Sequence, residues 1–564
     1  MSDFPPAMGR FAHAVVAALG FALMTASAAT AAVYQWSIPM PGPVSMETGK
    51  QPEAFLWIPP HCRAVKAVVL GQHNLLEEPL FESKVFRKAL SSACIGEVWV
   101  TPMFDTVFDF SNGAGERVDR MMEALAQESG YEELAFTPTV PIGHSAAASF
   151  PWNFAAWAPE RTLALVSLKG DAPRTTLTGS GKPNPDWGAR TIDGVPALMV
   201  MGEYEWLEQR LAPALDYQDA HPDALISLYA DAGRGHFDLS DDLARYIGLF
   251  IKKAVAARLP SASPPLGPVA LKRIDPNLGW RADRWRSTGQ RSAAPAPAAS
   301  YQGLRREAFW YFDGQMAGRV ERLYRRAASR KPQLLGFVQN GGVVRQKAGH
   351  AQVELALAPL ADGVTFRLQA TSLDRVPDGN PRPAQWTGLP ANAPIGHGDG
   401  PITITRQTGP VVQTGPDTWT LMFNRVGFSN SRRSGDVWFV ATREGDRRYK
   451  SAVQQAFLRV PPINISGKDQ TISFSLPPSL VVGRSGDALL LNGVSDSGLP
   501  VRYYVKQGPA EIDGDRLRFT PIPHSARRPI KVTVVAWQYG MAGNTRSATP
   551  VERSVLISDP QRSD

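Results

Sequence analysis

Between residue 33 and about residue 260, short apolar runs alternate with helical patterns, and this alternation constrains the fold more than any other feature of the chain. Strand-like runs fall at 54–58, 65–70, 97–101, 139–142, 162–168, 197–201 and 225–230. Helical patterns at 81–93, 115–129 and 241–258 lie between them. Parallel neighbours need a crossover, and the crossover helices cover both faces of the sheet, so this order predicts an α/β domain with a mostly parallel sheet. The pattern ends near residue 260. Proline- and alanine-rich clusters at 261–265 and 293–297 bracket a tryptophan-containing stretch that reads as a linker or wrapping arm over 261–300. A helix is expected over 307–328, with Phe309, Trp310, Phe312, Met316, Val320 and Leu323 as its apolar face. From 333 onward the chain reads as all-β. A hairpin at 333–346 turns on Asn340, Gly341 and Gly342, and short strands continue to 459. The last unit, 460–564, has strand-like runs at 471–474, 488–492, 501–506, 516–520 and 530–537, the spacing of an immunoglobulin-like β-sandwich.

Within the α/β stretch, one octapeptide, 140–147, reads as a buried strand turning through Ser145 into a helix. A strand that ends in Gly-x-Ser-x-small holds the serine in a tight turn, so both flanking positions must be tiny; Gly143 and Ala147 are. The helix expected over 146–157 would aim its N-terminal dipole at an oxyanion formed beside Ser145.

At 564 residues the chain is too long for one core and predicts two to four domains. Hydrophobic residues make up 43% and charged residues 20%, a globular rather than a disordered composition. A net charge of +8 is thin over this length, and no lysine-rich or aromatic-interleaved basic stripe points to nucleic acid. A short polar start with Arg10, an apolar run at 14–24 and an alanine-rich tract at 26–32 together read as a secretory signal peptide. No later segment is long and apolar enough to span a membrane, so the expected location is the periplasm or beyond. Export makes Cys62 and Cys94 candidates for a disulfide. Each lies just before a strand-like run, at similar offsets; two buried free thiols are the alternative.

A serine hydroxyl needs a base, a carboxylate to orient that base, and oxyanion donors. His236, on the glycine-rich loop after the run at 225–230, is the best-placed base. The loop after 197–201 offers Glu205 as the acid, with Glu203 as the alternative and Asp171 third. Oxyanion donors are expected from the backbone N–H of Ala146 and of Asn74 or Leu75. His73 reads as a supporting or substrate-contacting residue, and His144 as packing beside the turn. No histidine and carboxylate grouping has metal-ligand spacing and no loop matches a nucleotide site, so no cofactor is expected.

These residues together resemble the α/β-hydrolase superfamily, most closely its dienelactone-hydrolase and secreted-esterase branches, over about residues 50–258. The resemblance implies a Ser145 nucleophile, a His236 base, a Glu205 acid and a backbone oxyanion hole, with water cleaving an acyl-enzyme. Ala147 stands where a second glycine is usual, and glutamate where aspartate is commoner. The segment 170–194, with Asp171 and Trp187, is expected to shape the substrate pocket. Export and appended β domains resemble enzymes acting on polysaccharide esters. A peptidase on the same fold, or a glycan-binding protein with a degenerate hydrolase domain, are the competing readings.

Overall fold

The computed structural model describes residues 33–175, 184–261, 266–347, 349–427, 434–483 and 486–558. The expected leader at 1–32 and part of the 170–194 segment lie outside them. Eight strands form the first sheet: β1 (Trp36–Pro39), β2 (Glu53–Trp57), β3 (Ala67–Gln72), β4 (Ile95–Thr101), β5 (Thr139–His144), β6 (Leu165–Leu168), β7 (Pro196–Gly202) and β8 (Leu225–Asp231), in the order β1-β2-β4-β3-β5-β6-β7-β8. The pairs β1–β2 and β2–β4 are antiparallel, and every other pair is parallel. This is the α/β-hydrolase fold. Strands β3 to β8 are buried at every position, which is why they read as mostly apolar runs rather than as alternating ones. Alternate residues enter opposite cores: Val69 and Ile142 face one side of the sheet, Val68 and Leu70 the other.

Helices α1 (Glu77–Glu82) and α2 (Lys84–Ser91) replace the single helix expected at 81–93, because Ser83 leaves the helical conformation and caps α2 by accepting from the Phe86 N–H. Helices α3 (Gly115–Ser129), α4 (Phe150–Trp157), α5 (Glu208–Ala220) and α6 (Asp241–Arg258) complete the layers. Cys62 and Cys94 form a disulfide, Cα to Cα 5.6 Å, at the entrances of the adjacent parallel strands β3 and β4.

Much of the stretch expected to be a linker packs onto this domain. Strand β9 (Trp280–Asp283) pairs antiparallel with β10 (Ala296–Pro297) and with β11 (Ala308–Tyr311). The helix expected from residue 307 starts only at α7 (Gly314–Ala328), since the aromatic run before it is extended and Asp313 caps the helix through the Met316 N–H. Tyr311 donates to the Leu228 carbonyl at 2.8 Å, and Phe309, Met316 and Val320 join the core of the first domain.

Beyond α7, a four-stranded sheet orders Val353–Leu355, Ala452–Arg459, Asp436–Arg443 and Thr403–Thr408 side by side. One face, with Val437, Phe439, Ala456 and Leu458, is buried in its own core. The other face, with Trp438, Val440, Gln455 and Phe457, turns to the loops at the carboxyl ends of the first sheet. Ion pairs fasten the two units: Arg406 to Glu78 at 2.9 Å, Arg425 to Glu82 at 2.9 Å and Lys450 to Glu203 at 2.6 Å. The last unit pairs a four-stranded with a three-stranded sheet around Leu517, Phe519, Val532 and Val534. It docks near β1, where the Ser37 N–H donates to Gln507 at 2.7 Å. No helix among the described residues is long and apolar enough to cross a membrane.

Candidate active site

Ser145 follows β5 with φ +52°, the left-handed conformation that the tight turn demands. A side chain at Gly143 would place its Cβ 1.9 Å from the Ala147 carbonyl oxygen, so glycine is obligatory there. A single 3-10 turn, Ser145–Ala147, precedes α4. The Ala146 N–H lies in its first turn, where no carbonyl of the helix reaches it.

His236 Nε2 lies 2.7 Å from Ser145 Oγ, and Nδ1 of the same ring meets Glu205 Oε2. An ionised carboxylate only accepts, so Nδ1 carries the proton and Nε2 is left to accept from the serine hydroxyl. Glu205 is fully buried and held on both oxygens: Oε1 accepts from the Gly202 N–H at 3.1 Å, and Oε2 also takes Arg210 at 2.8 Å. The acid loop and the histidine loop touch, since a Cβ at Gly202 would stand 2.6 Å from the Gly235 carbonyl oxygen. Glu203 points elsewhere, accepting from the Gly233 N–H at 2.7 Å and pairing with Lys450.

Burial pushes the His236 imidazole well below its ordinary value, and the positive charges of Arg210, Lys169 and Arg382 act in the same direction. Lys169, at the end of β6 and fully buried, donates to the Gly235 carbonyl at 2.7 Å and to the Asp238 carbonyl at 2.5 Å, clamping the loop that carries the base. His144 Nε2 donates to the His236 carbonyl at 3.0 Å. From the middle β unit, His350 lies flat on His236 with ring centres 3.9 Å apart and planes 7° apart. Burial holds His350 down to about 3, so it covers the base as a neutral ring. Gln455 joins the two, accepting from the Phe237 N–H and donating to the His350 carbonyl at 3.3 Å.

Glu205, His236 and His350 bring possible ligand atoms within 4.8 Å of one another. Parallel stacked rings direct their lone pairs along parallel planes, so these do not converge on one ion.

The second oxyanion donor departs from expectation. The Asn74 and Leu75 amides donate to Glu77 Oε2 at 3.2 and 2.8 Å, and Glu77 Oε1 takes the His144 N–H at 2.6 Å. This carboxylate, pushed up to about 7 by burial, ties the loop after β3 to the nucleophile turn. Asn74 and Leu75 nevertheless line a cavity of about 300 Å³ that opens on Ser145.

Three expected substrate contacts lie outside that lining. His73 bonds Thr101 at 2.7 Å, and its other nitrogen lies 3.7 Å from Glu78. Trp187 is buried against Tyr217 and donates to Asn153 at 2.9 Å. Asp171 is buried, and its carbonyl accepts from Trp152 and Ser167. The wall of the cavity comes instead from the middle β unit, including Trp438 and Phe457. Nothing local in the sequence pairs residues 350, 438 or 455 with residue 236. Lys169 did leave a signal, a lysine ending an apolar strand.

No protein-family model matches the chain, and no curated protein matches it. Among solved structures, Est1E from Butyrivibrio proteoclasticus is similar at 14% identity over 40% of this chain and 99% of that one, with a TM-score of 0.27. An S-formylglutathione hydrolase from Agrobacterium tumefaciens is similar at 15% identity over 39% and 93%, TM-score 0.29. A dienelactone hydrolase from Anabaena variabilis gives 16% identity over 40% and 96%, TM-score 0.26.

Proposed function

We propose that this protein is an exported serine hydrolase that cleaves carboxylic esters, including esters carried on polysaccharides, through an acyl-enzyme. One observation carries the reading: a serine in a left-handed turn, 2.7 Å from a buried imidazole whose other nitrogen meets a buried carboxylate. His236 Nε2 takes the Ser145 proton as Oγ bonds to the ester carbon, and the Ala146 N–H faces the oxygen that becomes negative. The imidazolium, held by Glu205, passes that proton to the departing alcohol as the C–O bond breaks. Water, deprotonated by the same ring, then releases the acid and restores Ser145. Export is supported by the leader-like residues 1–32 and by the Cys62–Cys94 disulfide.

A fluorophosphonate probe tests the nucleophile. Folded wild type is expected to label stoichiometrically and Ser145→Ala not at all; an unlabelled, folded wild type removes the enzyme reading.

A further inference from the structure

Two cross-strand pairs on the sheet of the middle unit face the Ser145 cavity. Trp438 stands opposite Phe457, and Asp436 opposite Arg459. Trp438 is half-buried, with its ring centre 4.0 Å from that of Phe237, the neighbour of the proposed base, and 5.2 Å from that of Phe457, the planes tilted by 34° and 48°. Arg459 lies over the Phe457 ring at 5.3 Å. An aromatic strip therefore runs outward from the loop that carries His236. The charged groups along it are matched: Arg459 pairs with Asp436 at 3.0 Å, and Lys347 with Glu354.

We propose that this cavity is a subsite for the sugar ring of a glycoside ester, with Trp438 and Phe457 as its floor and the sugar as the alcohol half of the bond cleaved. The proposal rests on the serine-esterase reading and supplies the residues that would select the substrate. A sugar ring has apolar C–H faces and a rim of hydroxyls. Stacking on an aromatic plane removes the C–H face from water, while planar carboxylate and guanidinium groups engage neighbouring hydroxyls two at a time. A long acyl chain in the same place would take the Asp436–Arg459 and Lys347–Glu354 ion pairs out of water and supply no hydroxyls in its stead, which is costly. A charged alcohol meets a wall whose own charges cancel. The volume, about 300 Å³, lies at the small end for ligand sites and suits one ring with a short acyl group.

The test measures kcat/KM by pH-stat on three acetates: ethyl acetate, phenyl acetate and peracetylated methyl β-D-xylopyranoside. Wild type is compared with Trp438→Ala and, in case that variant does not fold, Phe457→Leu. The expected result is a fall on the xyloside about tenfold greater than the fall on ethyl acetate in both variants. A fall confined to phenyl acetate, or an equal fall on all three from a folded variant, overturns the sugar subsite. Wild type that labels with fluorophosphonate and hydrolyses ethyl acetate, yet shows no preference for the xyloside over ethyl acetate, overturns the subsite and leaves the esterase reading standing. Wild type that neither labels nor hydrolyses any acetate overturns both.

Discussion

At the scale of single residues, the proposed acid is the carboxylate that meets Nδ1 of the proposed base, His236. Glu205 does, while Glu203 spends its oxygens on the Gly233 N–H and on Lys450. Glu205→Gln keeps the shape but no longer fixes the tautomer or stabilises the imidazolium, and kcat on a simple acetate is expected to drop about 10⁴-fold. Glu203→Gln is expected to leave kcat within about tenfold and to act on stability instead, through Lys450. The lowered pKa of His236 has a definite sign. A depressed imidazole stays neutral, and so stays a base, at pH values where an ordinary histidine is already charged. The acid limb of the kcat/KM profile is therefore expected well below pH 6.5, the ordinary value for histidine. The unfolded chain takes up that proton first, so the same group removes stability as pH falls below about 6.5. A profile with its acid limb at or above that value would contradict the buried geometry.

At the scale of elements, the turn between β5 and α4 is the most sharply determined piece of backbone. A Cβ at Gly143 collides with the Ala147 carbonyl, which is backbone and cannot rotate away. Gly143→Val is expected to destabilise the fold by about 3 kcal/mol or more, read as a lower urea midpoint. The matching Ala147→Gly change is expected to leave activity intact. Most strands are legible because a strand buried on both faces is predominantly apolar, as at 225–230. Strand β1 and helix α5 are not. The first is only four residues long, and the second carries Pro213 and weak amphipathic periodicity. The strand at 308–311 reads as helix because an aromatic run next to a true helix shares its apolar face, and only pairing with β9 distinguishes the two.

At the scale of the whole molecule, the middle β unit is part of the candidate active site. It lays His350 on the base, bridges to Phe237 through Gln455 and forms the wall that faces Ser145. Its attachment rests partly on Glu78, a buried carboxylate on α1 that takes Arg406, Thr408 and Asn424. Arg406→Ala leaves that charge without its cation, and a loss of about 3 kcal/mol in urea unfolding is expected, together with weaker activity as the wall loosens. An unchanged midpoint would mean that the Arg406–Glu78 pair adds nothing to the interface.

The amino-acid sequence by itself determined the parallel sheet, the tight turn at Ser145 and the order of the proposed serine, acid and histidine. Each of these is written in a local pattern: hydrophobic period, small residues at a tight turn, carboxylates and imidazole on loops after strands. Tertiary structure alone decided which glutamate meets the base, where the Asn74 and Leu75 amides point and what walls the cavity. Those choices depend on groups brought together from far along the chain, such as Glu205 with His236, or Trp438 with Phe237, and no local period records which of several equivalent side chains the packing will select.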